Sequence, residues 1–235
     1  MARRLIDLST PVTTGHFRWP VERRLLKSHA EGEGQGTWAG WNVHGFTHMD
    51  SPRHVDPEGF TTDAISLDMT VGDAAILDLS DVPENTAITG ERIAAAGAHL
   101  RRGDIAILKT RWDERADIAT PDFWARAPWM TAEAAIWLRE AGIKAVGFDF
   151  PQDYCIRFFL TGEARPPLPE HVTHYHLLQR GVIMFEYLRN TGALRAPRSL
   201  VVALPVKLPD SDGAPARVIA IEEDAACSSP VTSPW

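Results

Sequence analysis

Three imidazoles and a carboxylate fall within one short segment, HGFTHMDSPRH, as His44, His48, Asp50 and His54. Neutral imidazole nitrogen and ionised carboxylate oxygen suit a borderline divalent cation such as Zn²⁺ or Mn²⁺, and no soft thiolate is among them. One helical turn would put His44 and His48 on the same face, but Gly45 disfavours a helix and Pro52 pushes Ser51 towards an extended conformation. A strand or short turn that breaks into a loop near Asp50 is therefore expected, and loops on a rigid scaffold are where chemistry commonly sits. Singly, each histidine is more often a surface or hydrogen-bonded residue, and an Asp before Ser-Pro is a common turn former. Their coincidence in one segment is what points to metal.

The segment resembles the HxGTHxDxPxH signature of the metal-dependent cyclase family, which contains bacterial kynurenine formamidases, isatin hydrolases and related amide or lactone hydrolases. Gly45-Phe46 stands where the family has x-Gly, so the ligands keep register while the backbone at Phe46 departs. A second stretch, HYHLLQRGVIMFE, is similar to the family's HxxLLxxGIxIxE and places His174 and Glu186 at its ends. His171 and His176 fall out of that register. Trp19-Pro20 resembles an aromatic-Pro pair that borders the family's site, and Phe17, Trp19 and Pro20 are expected as a pocket wall. LPVKL and the Pro-x-Arg turn near the end extend the resemblance over nearly the whole chain.

The resemblance implies that His44, His48 and Asp50 bind one ion. Asp50 with His174 and Glu186 would hold a second, and His54 would carry the proton. It also implies a mixed α/β fold of the swivelling β/β/α type and a homodimer or homotetramer. The expected activity is hydrolysis of an amide, either an arylformamide such as N-formylkynurenine or a cyclic amide such as isatin. A lactone hydrolase, a metal-independent cyclase or dehydratase, and a non-catalytic metal-binding protein are the alternatives. A serine hydrolase is disfavoured because no G-x-S-x-G elbow is present.

The elements that must position these residues follow from periodicity and punctuation. LIDLS, AAILDLS, DIAILKT, IKAVGFDF, VIMFEYL, SLVVALPVKL and ARVIAIEE read as strands, most of them apolar enough to be buried. Thr89 and Thr131 are placed to cap helices over RIAAAGAHL and AEAAIWLREAG, with Gly142 at the stop, and HVTHYHLLQRG reads as a helix ended by Gly181. Alternating helix and strand predict a mixed β-sheet with flanking helices in one domain over 1–235. After LIDLS, closed by Pro11, the polar, Gly-rich residues through Gly40 read as an irregular aromatic stretch. Glu186 shares an alternating face with Val182, Met184 and Leu188. On the local pattern alone an edge strand, with Glu186 in water or paired with Arg180, is favoured; the resemblance favours a metal instead. Asp149, after a Val-Gly-Phe run, reads as structural, and a role for Asp153 stays open.

Composition sets wider bounds. The chain has 235 residues, 44% hydrophobic and 23% charged, which are ordinary globular values. A net charge of −7 argues against nucleic acid or an anionic membrane as main partner and leaves a small molecule, expected to be aromatic in view of the N-terminal rings. No signal-peptide core or membrane span is visible, so a cytoplasmic location is expected. Cys155 and Cys227 are too few and too far apart for a disulfide framework or a zinc finger and are expected to be reduced.

Overall fold

The structure, a computed structural model, describes residues 3–32 and 34–223. The polar tail from Cys227 onwards lies outside the described residues. The strands are β1 (Arg3–Asp7), β2 (Glu22–Lys27), β3 (Gly36–Gly40), β4 (His48–Asp50), β5 (Val71–Asp78), β6 (Ala87–Ile88), β7 (Ile105–Lys109), β8 (Trp129–Met130), β9 (Ala145–Phe148), β10 (Ile183–Glu186), β11 (Arg198–Pro205) and β12 (Gly213–Glu223).

Eight of them form one mixed sheet in the order β1-β12-β11-β5-β7-β9-β10-β4. β5, β7, β9 and β10 run parallel, and the other neighbours are antiparallel. β4 pairs with β12 as well as with β10, so the sheet closes on itself through the strand that opens the histidine-rich segment. The fold is mixed α/β, with a barrel-like sheet and flanking helices.

Period-2 alternation on these strands builds two cores. Ile76, Ile107, Phe185, Val201 and Val218 fill the inside of the closed sheet with Met49. Their neighbours Leu77, Leu108, Val146 and Met184 face outwards and pack against Ile93 and Leu138 of the helices. Those helices begin where threonine can cap them: Thr89 Oγ1 accepts from Arg92 N at the start of Gly90–Ala96, and Thr131 Oγ1 accepts from Ala134 N at the start of Ala132–Ala141. Gly142, at φ 79°, ends the second by taking the left-handed conformation.

Two local expectations are corrected. The stretch before Gly40 is not irregular throughout, since β2 and β3 form a two-stranded ribbon. Every residue of β2 is exposed, so no alternation marks it in the sequence. Leu188 does not share the Glu186 face. Tyr187 adopts φ 54°, which breaks the alternation, so Tyr187 joins the outer core and Leu188 the inner one.

Candidate functional site

β4 carries His48 and Asp50 on its outer face, because Met49 between them points into the closed sheet. Across the antiparallel pair with β10, His48 stands directly opposite Glu186. Glu186 is 4% exposed on a central strand, which rules out the edge-strand pairing with Arg180. His44 precedes β4 in a turn held by Asn42, whose Oδ1 accepts from His44 N and whose carbonyl accepts from Gly45 N. Phe46 then takes φ 60°, the conformation the family's glycine would adopt without strain, and its ring is buried against Trp19 and His16. After Asp50 the chain makes one tight turn, Pro52–His54, that returns His54 towards His44, their rings 4.1 Å apart. His174 arrives from the short helix Val172–His176, which is followed by a single further turn and stopped at Gly181 (φ 85°).

The donor atoms converge on Asp50, which is buried. Its Oδ1 lies 2.7 Å from His44 Nδ1 and 3.1 Å from His48 Nε2, and its Oδ2 lies 3.7 Å from His174 Nε2. Glu186 lies 3.7 Å from His48 Nε2 and 3.6 Å from His174 Nε2. Burial raises the Asp50 pKa, but the charge of His48 and the hydrogen bonds of His174 and His44 outweigh it and hold this carboxyl well below the usual range. Burial would lower His44, yet Asp50 and then Asp212 push it up to about 9. Asp153 and Asp50 raise His174 in the same way against burial. Carboxylates thus surround these imidazoles and favour positive charge at the centre of the cluster.

The outer nitrogens are held so that the inner ones can ligate. His48 Nδ1 donates to the Phe46 carbonyl at 2.9 Å, which leaves Nε2 as the lone-pair nitrogen. That Nε2 is buried without a hydrogen-bond partner among the described residues, since Asp50 is near but misaligned. His174 Nδ1 donates to Asp153 Oδ2 at 2.7 Å, and His44 Nε2 donates to Asp212 Oδ2 at 2.8 Å. A carboxylate or carbonyl behind each imidazole is the usual arrangement around a ligated metal. The sequence-derived set His44, His48, Asp50, His54, His174 and Glu186 is therefore brought together, and its donors fit a divalent cation.

His54 is placed differently. Its Nδ1 lies 3.2 Å from Asp212 Oδ2, so Asp212 holds that proton and Nε2 is left to accept another. Burial lowers the His54 pKa, which keeps the ring neutral and able to act as a base.

Several contributors were not identified from the sequence. Asp212, in the PDSDGAP loop, is anchored by Ser51, whose N and Oγ both donate to its carbonyl. Gly213 beside it leaves room for His44, because a Cβ there would lie 2.6 Å from the imidazole Cε1. Gln152 donates its amide to Glu186, and Asp153 accepts from both Thr173 N and His174, so the FPQDY segment holds the second half of the site. Asp149 is structural as expected, accepting from Thr110, Arg111 and Thr191. His171 meets His174 edge-on, and His176 meets Tyr175 in the same way. Of the expected wall, Phe17 is exposed and packs on Phe159, Trp19 is 4% exposed beneath the site against Phe46, Trp124 and Tyr187, and Pro20 is exposed.

The Cyclase family model matches residues 6–152, more than half of the chain and all of the first ligand segment. The chain belongs to the Cyclase family. Among curated relatives of this chain, a kynurenine formamidase of Salinibacter ruber is 28% identical over 231 residues, covering 92% of this chain and 96% of the relative. One from Bacillus mycoides is 26% identical over 222 residues, covering 91% and 95%. Among solved structures, isatin hydrolase A from Labrenzia aggregata superposes with a TM-score of 0.76 at 21% identity, covering 94% of each chain. A potential metal-dependent hydrolase with cyclase activity superposes at 0.68 with 28% identity, covering 95% of this chain and all of the other. No helix among the described residues is long and apolar enough to cross a membrane.

Proposed function

We propose that this cyclase is a metal-dependent hydrolase that cleaves a carbon–nitrogen bond of a non-peptide amide, with an arylformamide such as N-formylkynurenine or a cyclic amide such as isatin as substrate. The observation that carries the reading is the buried, unpartnered Nε2 of His48, surrounded by His44, Asp50, His174 and Glu186. A buried polar atom without a partner is costly and calls for a ligand. The relatives' names support the reaction class.

His44, His48 and Asp50 would hold one Zn²⁺ or Mn²⁺, and His174 and Glu186 would share Asp50 with a second. A divalent cation bound there polarises an amide carbonyl and lowers the pKa of water to roughly 7. His54 Nε2 takes the proton from the attacking water as its oxygen bonds to the carbonyl carbon. Asp212 stabilises the imidazolium that results. His54 then returns that proton to the nitrogen as the C–N bond breaks, so water and amide yield a carboxylic acid and an amine. Asp153, Gln152 and the Phe46 carbonyl keep His174, Glu186 and His48 oriented.

The test is a panel of N-formylkynurenine, isatin and a simple aryl lactone, with release of acid and amine followed directly. Turnover of an amide with stoichiometric amine supports the proposal; turnover of the lactone alone, or of nothing, overturns it.

A further inference from the structure

Arg18 is a largely buried cation that the mechanism above does not use. Its Cζ lies 4.1 Å over the Trp124 ring and 4.3 Å over Phe159, with Trp19 at 5.5 Å. The Trp124 and Phe159 rings, 5.5 Å from each other, lie on adjacent sides of the guanidinium and leave the N–H donors of its remaining side to other partners. Nη1 has none. It is buried without a hydrogen bond, and no carboxylate among the described residues forms an ion pair with Arg18. Burial lowers its pKa, Tyr187 and Glu186 act to raise it, and Arg165 acts to lower it. An arginine stays charged through such shifts, and aromatic faces replace only part of the hydration it has lost.

A row of rings ties this charge to the ligand cluster. The Trp124 ring meets Tyr187 edge-on at 5.2 Å, and the Tyr187 ring lies 5.6 Å from that of His48. Glu186 acts on Arg18 only at a distance, and neither it nor Asp50 makes an ion pair with Arg18, because both face the histidines and Gln152. Arg165, exposed and without an ion pair among the described residues, adds a second positive charge sensed by both Arg18 and His171.

We infer that Arg18 receives a carboxylate carried by the substrate at the end remote from the scissile amide, so that the preferred substrate is an anionic amide and not a neutral one. The inference rests on the hydrolase reading above. A planar guanidinium flanked by rings on adjacent sides keeps donors on its remaining side, and a carboxylate accepts two such donors at once. Phe159, which is exposed beside Arg18, offers apolar surface to the body of an aromatic substrate. An uncharged analogue leaves the cation unpaired once more, which is how a buried charge discriminates.

The test uses the metal-loaded protein with two matched pairs. Binding of L-kynurenine and of its carboxamide is measured by calorimetry, and turnover of N-formylkynurenine and of its carboxamide by amine release, for wild type, Arg18→Gln and Arg18→Lys. Wild type is expected to favour the acid in both pairs on the order of 10- to 100-fold. Arg18→Gln is expected to lose that preference through raised Kd and KM, and Arg18→Lys to recover part of it, with metal content unchanged. Equal losses for acid and amide in Arg18→Gln would mark Arg18 as a staple of its loop and overturn the inference, as would a wild type that binds both alike or neither. If Arg18→Gln does not fold, the wild-type preference decides alone. Arg18-dependent binding of L-kynurenine without any turnover would keep the receptor and remove the hydrolase reading. Turnover of acid and amide at equal efficiency would do the reverse.

Discussion

His48 and Glu186 face each other across the antiparallel pairing of β4 with β10, and this cross-strand contact joins the two halves of the site. The first half lies in one contiguous segment, and the second is delivered by strand register. Because side chains alternate, a one-residue slip of β10 would turn Glu186 into the closed sheet and leave His48 without a carboxylate opposite. Glu186→Gln keeps the shape and removes the charge. Metal affinity measured by competition with a chromogenic chelator is expected to fall by about 100-fold or more, since even outer residues around a metal are worth about 10- to 100-fold. Unchanged affinity would show that Glu186 is not a ligand.

In the proposed mechanism His54, with Nδ1 3.2 Å from Asp212 Oδ2, handles the proton. His54→Gln is expected to lower kcat by about 10²- to 10⁴-fold, the usual range for losing a general base, with metal content retained. Asp212→Asn removes the charge behind both His54 and His44 and is expected to lower kcat less. Parallel loss of metal and activity in His54→Gln would move His54 from proton carrier to ligand.

Phe46 sits at φ 60° where the family signature has glycine, and two effects of opposite sign meet there. The left-handed conformation costs a non-glycine residue about 1–2 kcal/mol. Losing a buried phenylalanine ring costs about 3–5 kcal/mol. With Phe46 1% exposed, packing wins, and Phe46→Gly is expected to destabilise the protein by about 2–3 kcal/mol in urea unfolding. A stabilised variant would mean that the ring contributes little to the core.

Much of the fold was legible in the sequence because its signals are local. Apolar runs marked β5, β7, β9 and β10, and Thr89, Thr131, Gly142 and Gly181 marked helix ends through their own side chains or φ values. The contiguous candidate ligands were legible for the same reason. Asp212 was not, because in a PDSDGAP loop an aspartate looks like any turn former, and only the closure of β12 onto β4 brings it behind His44 and His54. Gln152 and Asp153 escaped likewise, since their partners are distant in sequence. The β2–β3 ribbon has no buried face to impose a period.

Asp149 gives a pH signature away from the site. Burial pushes its carboxyl up to about 6 from an ordinary 3.8, against the hydrogen bonds of Thr110 and Thr191. The native state therefore holds this proton more tightly than the unfolded chain, so its contribution to stability falls as pH rises from 3.8 to about 6 and is flat beyond. Unfolding free energies measured by urea from pH 4 to pH 8 are expected to show that decline in wild type and to lack it in Asp149→Asn. Identical pH profiles would show that Asp149 is ionised throughout.

The central claim is that His44, His48, Asp50, His174 and Glu186 hold a catalytic cation. The most direct measurement is elemental analysis of the purified protein before and after chelation, with N-formylkynurenine turnover recorded on the same samples. The account predicts bound zinc or manganese, loss of turnover when it is removed, and recovery when either metal is returned. Full turnover by protein shown to be metal-free would contradict it.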